Sequence, residues 1–171
     1  DYGITSIDTA PVYGFGESEK IVGEAIKGKR DKLQIFTKYG LRWDKKIGTY
    51  YFDITDPKGN RTSIYKYAGK ESIISECEQS LKRLVTDYID LYQIHWHDVT
   101  TPIEESMEAV NKLMSDGKVR AAGVCNYSVE NLKVAGKTIN IVSNQVPYSM
   151  VKRDIEKDVI PYCTENNISI L

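Results

Sequence analysis

The sequence has few of the features that mark membrane, exported or disulfide-linked proteins. No apolar run reaches the roughly 18 residues of a spanning helix, and no charged-then-apolar leader is recognisable. The three cysteines, Cys77, Cys125 and Cys163, are odd in number and far apart, without the Cys-x-x-Cys spacing of a zinc site or redox dithiol. These absences argue against membrane insertion and export, and they favour a reducing, cytoplasmic location.

An excess of charge of one sign is also lacking. The 23 basic and 24 acidic residues leave a formal net charge of -1 and are mixed along the chain. A balanced surface of this kind produces no field that attracts DNA, RNA or an anionic membrane. We therefore expect neither a nucleic acid nor a membrane as partner, and the sequence carries no signal for a particular oligomer.

What the sequence does contain is a regular alternation of strand-like and helix-like segments. Segments with helical spacing of apolar residues separate six apolar, β-branched runs of strand length. These runs lie at residues 3–8, 33–38, 88–96, 119–126, 141–148 and 168–171. The alternation predicts six parallel strands joined by right-handed crossovers. It fits either an open doubly wound sheet or most of a (β/α)8 barrel.

Residues typical of helix ends support the predicted helices. The segment TPIE at 101–104 supplies a capping threonine, a proline for the first helical position and a glutamate that completes a capping box. Ser128 and Asp154 are further predicted caps, and Gly28 and Gly117 are predicted helix stops.

Both ends of the chain resemble interior segments of a longer one. Residues 1–3 read as the end of a helix, and the chain stops inside the apolar run at 168–171. With 171 residues, one domain is expected. We therefore expect residues 1–171 to be a single, partial domain of a longer protein.

A long polar, tyrosine-rich stretch from residue 40 to about residue 70 interrupts the alternation. It shows little helical or strand pattern. Because loops of this length in compact domains are usually functional or disordered, the stretch is interpreted as a lid or pocket wall, with a floppy insertion as the alternative.

Four polar residues lie at or just past the ends of the first three predicted strands: Asp8, Tyr13, Lys38 and His95. If these strands are neighbours, about 4.8 Å apart, the side chains share one rim of the sheet. In parallel α/β folds that rim is where ligands bind. The spacing therefore predicts that the four residues converge.

The four residue types suit proton donation to a carbonyl group. A free tyrosine titrates at about pH 10, so it donates a proton poorly at neutral pH unless a cation such as Lys38 stabilises the phenolate. Asp8 would keep the Lys38 ammonium charged and oriented toward Tyr13, and His95 could hydrogen-bond a substrate oxygen. Taken singly, each residue also has a structural explanation, as a rim ion pair, an edge aromatic or a strand-end histidine.

Other motifs predict function less well. His95, His97 and Asp98 could bind a metal ion, but no fourth ligand accompanies them, so no metal is expected. Residues 14–19 lack the last glycine of a dinucleotide-binding fingerprint. Cys125 has no evident base beside it and is interpreted as a buried structural thiol.

Five separated motifs, in order, resemble those of the aldo-keto reductase family. They are IDTAPVYGFGESEKIVGEAI, FTKYG, SLKRLVTDYIDLYQIHW, GVCNYS and NQVPYS. The resemblance implies an incomplete (β/α)8 TIM barrel, running from about the second to the seventh barrel strand. It also implies reduction of aldehydes or ketones by direct hydride transfer from NADPH, with NADH as an alternative cofactor.

Carried over by position, the resemblance implies that Tyr13 is the general acid and that Lys38, His95 and Asp8 assist it. Binding of the cofactor's carboxamide is implied for a second group, made up of Asp8, Cys125, Asn126 and Gln145. Cys125 stands where the family usually has serine, a stronger hydrogen-bond donor. A cofactor-binding regulatory or redox-sensing subunit of the same fold, and an inactive fragment, are the alternative functions.

Overall fold

A computed structural model describes residues 3–56 and 59–171, which contain two sheets and five α-helices. The strands are β1 (Ser6–Asp8), β2 (Gln34–Tyr39), β3 (Leu41–Arg42), β4 (Thr49–Thr55), β5 (Arg61–Lys66), β6 (Ile89–Ile94), β7 (Val119–Cys125), β8 (Ile141–Gln145) and β9 (Ser169–Ile170). The helices are α1 (Glu17–Ala25), α2 (Lys70–Leu84), α3 (Ile103–Ser115), α4 (Val129–Ala135) and α5 (Val159–Glu165). Asp1 and Tyr2, part of the predicted helix end, lie outside the described residues, as do residues 57 and 58.

Six parallel strands form a curled half-barrel in the order β1-β2-β6-β7-β8-β9. The prediction of six parallel strands is confirmed, with strand ends shifted by up to three residues. Because neighbours in the sheet follow one another along the chain, the order never reverses as it does at the switch point of a doubly wound sheet. The fold is therefore an incomplete (β/α)8 barrel.

The core lies between the strands of the half-barrel and the helices that connect them. Ile35, Ile89 and Val124 of the sheet are fully buried there, together with Ile73 of α2 and Met107 of α3. This packing fixes each strand relative to its helix, and thereby fixes the position of each strand end. In the part of the chain that the structure covers, no helix is both long and apolar enough to cross a membrane.

The stretch from residue 40 to residue 70 contains three strands, although its sequence shows little helical or strand pattern. β3, β4 and β5 form an antiparallel sheet in the order β3-β5-β4, which we call the insertion (residues 41–66). On β4 the side chains of Tyr50, Phe52 and Ile54 are exposed while Tyr51 between them is half-buried. Because aromatic residues occupy both faces of β4, the apolar–polar alternation that signals a strand is missing.

A buried ion pair attaches the insertion to α2. Arg42 of β3 is 4% exposed and contacts the Glu76 carboxylate at 3.5 Å. Glu76 also accepts hydrogen bonds from the Gly40 backbone N–H at 3.0 Å and from the Ser72 hydroxyl at 2.8 Å. Burial raises the pKa of Glu76, although the Arg42 charge opposes this effect.

Two of the predicted caps are wrong. Ser128 caps α4 as predicted, accepting a hydrogen bond from a backbone N–H of the first turn. The Thr101 hydroxyl instead donates to Asp98 at 2.7 Å, because that buried carboxylate needs donors. Asp154 lies in a short 3-10 turn, and α5 is capped by Asp158, whose carboxylate accepts from the Val159 N–H.

Candidate active site

Asp8, Lys38 and His95 lie at adjacent strand ends, as predicted. The register pairs β1 with β2 and β2 with β6, so the three residues share the carboxyl-end rim of the sheet. The Lys38 ammonium is 2.7 Å from an Asp8 carboxylate oxygen and also donates to the Thr9 carbonyl at 2.9 Å. Lys38 is 2% exposed, so these two acceptors replace the water that its charge would otherwise hold.

Tyr13 is carried to this rim by a tight turn at 13–16. Gly14 and Phe15 both have left-handed backbone conformations there, with φ of 61° and 55°. The Tyr13 ring centroid lies 5.2 Å from the Lys38 ammonium and 5.7 Å from the centroid of the His95 ring, which it meets edge to face. Tyr13 is 42% exposed, so its phenol is accessible from solvent beside a buried cation.

His95 is held in its neutral form. Burial, followed by the smaller effect of the Lys38 charge, lowers the pKa of its imidazole to about 4. Its backbone N–H donates to the Tyr39 carbonyl at 2.9 Å, which fixes its position between β2 and β6. A neutral imidazole has one N–H donor and one acceptor nitrogen, so His95 can donate a single hydrogen bond without adding charge.

Two amide side chains and a thiol lie next to His95, at the ends of β7 and β8. The Asn126 amide donates to the His95 carbonyl at 3.4 Å, and the Gln145 amide donates to Asp8 at 3.5 Å. The Cys125 thiol donates to the Gln145 side-chain oxygen at 3.5 Å. These contacts are long, so the amides remain available to a ligand.

An open cleft of about 490 Å³ joins these residues. Six of the seven predicted site residues line it; Asp8 does not line it but accepts a hydrogen bond from Lys38, which does. Five other lining residues were not predicted: Trp96, Val146, Pro147, Tyr148 and Leu171. Trp96 and the segment 146–148 lie at the carboxyl ends of the predicted strands 88–96 and 141–148, so the rule that these ends form the site could have found them.

Gln93 is a further residue that sequence reasoning missed. It is fully buried, it lies opposite Lys38 in the β2–β6 register, and its amide donates to Asp8 at 3.5 Å. The Ser143 hydroxyl donates in turn to the Gln93 side-chain oxygen at 3.5 Å. A polar residue inside a predicted buried strand was the sequence signal that could have identified Gln93, because a buried amide needs hydrogen-bond partners.

The insertion contacts the site from two directions. Trp43 meets Phe15 of the tyrosine-bearing turn with ring centroids 5.8 Å apart, and Tyr51 meets Trp96 at 5.5 Å. With the Arg42–Glu76 anchor, these contacts support the pocket-wall interpretation over a floppy insertion.

The competing motifs do not converge on a second site. The His97 ring meets Tyr127 at 5.7 Å and contacts the Asn131 amide, while His95 faces Tyr13. Within residues 3–56 and 59–171, no group of three or more His, Cys, Asp and Glu side chains is arranged to hold a metal ion. Burial raises the pKa of Cys125 to about 12, as expected of a structural thiol.

A polar cluster at the carboxyl ends of consecutive parallel strands defines a site of the (β/α)8-barrel class. The chain belongs to the aldo/keto reductase family, whose family model matches residues 1–171.

Known relatives and solved structures agree with this assignment. Aldo-keto reductase YhdN of Bacillus subtilis is 44% identical over 173 residues (100% of this chain, 47% of the relative), and the NADH-specific methylglyoxal reductase of Escherichia coli is 38% identical over 172 residues (98% and 51%). Glycerol dehydrogenase AKR11B4 from Gluconobacter oxydans superposes with a TM-score of 0.88 at 41% identity (99% of this chain, 48% of that chain). A Klebsiella pneumoniae aldo/keto reductase in complex with NADP and acetate gives 0.78 at 34% identity (97% and 51%). The chain thus spans about half the length of the relatives it matches.

Proposed function

We propose that the protein containing this chain reduces aldehydes or ketones to alcohols with a nicotinamide cofactor. The observation that carries this proposal is the Lys38 ammonium, buried against the Asp8 carboxylate and placed beside the exposed phenol of Tyr13. A phenol next to a fixed cation is suited to giving up a proton, because the cation stabilises the phenolate that remains.

Each of the site residues has a definite part in this reaction. Tyr13 donates a proton to the carbonyl oxygen of the substrate, and Lys38 stabilises the resulting phenolate. Asp8 holds the ammonium in place through the 2.7 Å ion pair. His95, neutral at pH 7, donates a hydrogen bond to the same carbonyl oxygen and so fixes the orientation of the carbonyl group.

The residues at the ends of β7 and β8 fit a nicotinamide carboxamide. That group has an NH2 that donates and a carbonyl oxygen that accepts, and the Asn126 and Gln145 amides offer both kinds of partner while they make only long hydrogen bonds themselves. Cys125 would support Gln145 through its thiol. When bound, NADPH supplies the hydride that the substrate carbon receives.

NADPH is the proposed cofactor, with NADH as the alternative. The Klebsiella structure contains NADP, whereas the name of the E. coli relative specifies NADH. The residues that bind the carboxamide are the same for both cofactors, so they do not discriminate between them.

The substrate class, the location and the domain organisation are further parts of this proposal. A small-molecule carbonyl compound is the proposed substrate, as the name methylglyoxal reductase suggests for one relative. The three free cysteines, all buried, support a cytoplasmic enzyme in a reducing environment. Residues 1–171 are proposed to be part of one barrel domain. The complete set of Asp8, Tyr13, Lys38 and His95 favours an enzyme over a regulatory subunit.

Replacing Tyr13 by Phe in the full-length protein tests the proposal. We expect kcat for an aldehyde to fall by about 10² or more, because the general acid is lost, while the Kd for NADPH changes less than about threefold. Steady-state kinetics and fluorescence titration measure the two quantities. Tyr162→Phe on α5, outside the cleft, is the matched control. A Tyr13→Phe enzyme with the wild-type rate would show that Tyr13 is not the acid.

A further inference from the structure

Lys66, the last residue of β5, is a half-buried lysine whose charge has no anionic partner. Within residues 3–56 and 59–171, no carboxylate lies within 4.0 Å of its ammonium, and no acceptor lies within hydrogen-bond distance. Buried cations elsewhere in the molecule are paired, as Lys38 is with Asp8 and Arg42 with Asp44 and Glu76. The N–H donors of Lys66 are therefore available to a ligand.

Aromatic rings hold this ammonium beside the cleft. It lies 4.6 Å from the ring centroid of Tyr51 and 5.7 Å from that of Trp96, within the range of cation–π attraction. Trp96 lines the cleft and follows His95 directly in the chain. The rings thus fix the position of the charge without supplying the hydrogen-bond acceptors that an ammonium prefers.

The backbone of Lys66 pairs with that of Leu41, which follows the end of β2. In the strand order, β6 separates β2, from which the insertion continues, from β7 and β8, which carry Asn126 and Gln145. A molecule that extends from His95 toward the insertion therefore approaches Lys66 and moves away from the amides. That direction suits the part of the substrate beyond its carbonyl group.

The charges around the cleft also favour an anion there. None of the residues lining the cleft is Asp or Glu in the described part of the chain, and the neighbouring Asp8 is paired with Lys38. Asp98, near Trp96 in sequence, has its oxygens engaged by Ala68, Thr100 and Thr101. Lys66 is among the groups that lower the pKa of His97, after burial, so its field reaches the loop that follows the His95 strand.

We propose that Lys66, supported by Tyr51 and Trp96, recognises an anionic group on the carbonyl substrate. Resting on the proposed function, this inference adds a substrate class: aldehydes or ketones that also carry a carboxylate. A lysine is a compact charge that does not require the bidentate geometry of an arginine site, so a phosphate group would use the same contact.

Matched pairs of substrates test the proposal in the full-length enzyme. Its kcat/KM is measured for 4-carboxybenzaldehyde and for the neutral ester methyl 4-formylbenzoate, in wild type, Lys66→Met and Lys66→Arg. We expect wild type to prefer the acid about tenfold, Lys66→Met to abolish the preference without changing the ester rate more than twofold, and Lys66→Arg to restore part of it. Lys46→Met, an exposed lysine of the same insertion, is the control.

Two outcomes would overturn the inference. An equal loss of kcat/KM for acid and ester in Lys66→Met would mean that the side chain only supports the wall of the pocket. A wild-type enzyme without preference for the acid would mean that no anion is recognised. Parallel assays with glyceraldehyde and glyceraldehyde 3-phosphate separate a carboxylate site from a phosphate site, since a phosphate preference alone would reject the carboxylate assignment.

A binding measurement separates this inference from the proposed function. Benzoate, which cannot be reduced, is titrated into wild type, Lys66→Met and Lys46→Met by calorimetry. A Kd at least tenfold weaker only in Lys66→Met would support the anion site even if no carbonyl compound were turned over, in which case the proposed function would fail alone. Equal benzoate affinity in all three proteins would reject the anion site and leave the role of Tyr13 standing.

Discussion

Lys38 illustrates how a single residue joins fold and chemistry. A side chain that is 2% exposed has lost most of its hydration, so its charge must be compensated inside the protein. Asp8 and the Thr9 carbonyl provide this compensation, and both come from the strand end next to β2. The contacts that compensate the buried charge also hold it near the ring of Tyr13.

His95 should make the stability of the protein depend on pH. Its pKa of about 4 in the folded protein lies below the ordinary value of 6.5. Between these two pH values the unfolded chain is protonated at His95 and the folded chain is not. The stability is therefore unaffected at pH 7, falls as the pH drops through 6.5, and stops falling from this cause below about pH 4. We expect wild type to lose roughly 2 kcal/mol relative to His95→Asn between pH 7 and pH 4.5.

Urea unfolding of the full-length protein at several pH values measures this difference. His97→Asn is the control on the same loop; burial lowers the His97 pKa too, and Asp98 opposes that effect. Wild-type and His95→Asn curves that run parallel from pH 7 to pH 4.5 would contradict a neutral, desolvated imidazole.

At the scale of elements, the sequence predicted the parallel strands because their signal is strong. β2, β6 and β7 are buried along most of their length, so apolar residues occur on both faces of each strand. The rim of Asp8, Lys38 and His95 followed from knowing where those strands end. Tyr13 was harder to place by position, because its turn depends on left-handed backbone at Gly14 and Phe15.

The insertion could not be predicted in the same way. β4 has aromatic residues on both faces, so its sequence lacks apolar–polar alternation, and residues 56–60 separate it from β5, so the two-residue turn that most strongly signals a hairpin is also missing. Its attachment to α2 depends on Arg42 and Glu76, which are 34 residues apart in sequence. Contacts at such distances are set by tertiary packing and leave no local pattern.

The attachment of the insertion to α2 should be lost when Glu76 is replaced. Glu76→Ala removes one of the two carboxylates paired with buried Arg42 and the acceptor of the Gly40 N–H, so we expect the free energy of unfolding to fall by about 3 kcal/mol. Hydrogen exchange of residues 41–66 should become faster than that of β6 and β7. Glu105→Ala on α3, which removes one exposed contact, should change neither quantity appreciably.

Unfolding by urea and exchange followed by mass spectrometry measure these effects. Exchange that accelerates equally throughout the sheet would show that Glu76 stabilises the whole fold and has no particular role in anchoring the insertion.

At the scale of the whole molecule, the half-barrel has two open edges. β1 and β9 each pair on one side only, and an open cavity of about 340 Å³ lies between the strands, lined in part by Phe36, Leu91 and Val142. In a closed barrel, inward-pointing side chains from all the strands fill the interior. Unpaired edges and accessible apolar surface are templates for association between chains.

We therefore expect the 171 residues expressed alone to associate, whereas the full-length protein does not through these edges. Gel filtration of the 171-residue polypeptide should show species larger than the 19.4 kDa monomer, and the dye ANS should fluoresce more strongly per mole with it than with the full-length protein. Placing a lysine at an exposed position of an edge strand, as in Ser169→Lys, should shift the population toward monomer, because charged edge strands resist pairing. A wild-type polypeptide that is monomeric and does not bind ANS would show that the open edges are protected by a feature other than strand pairing.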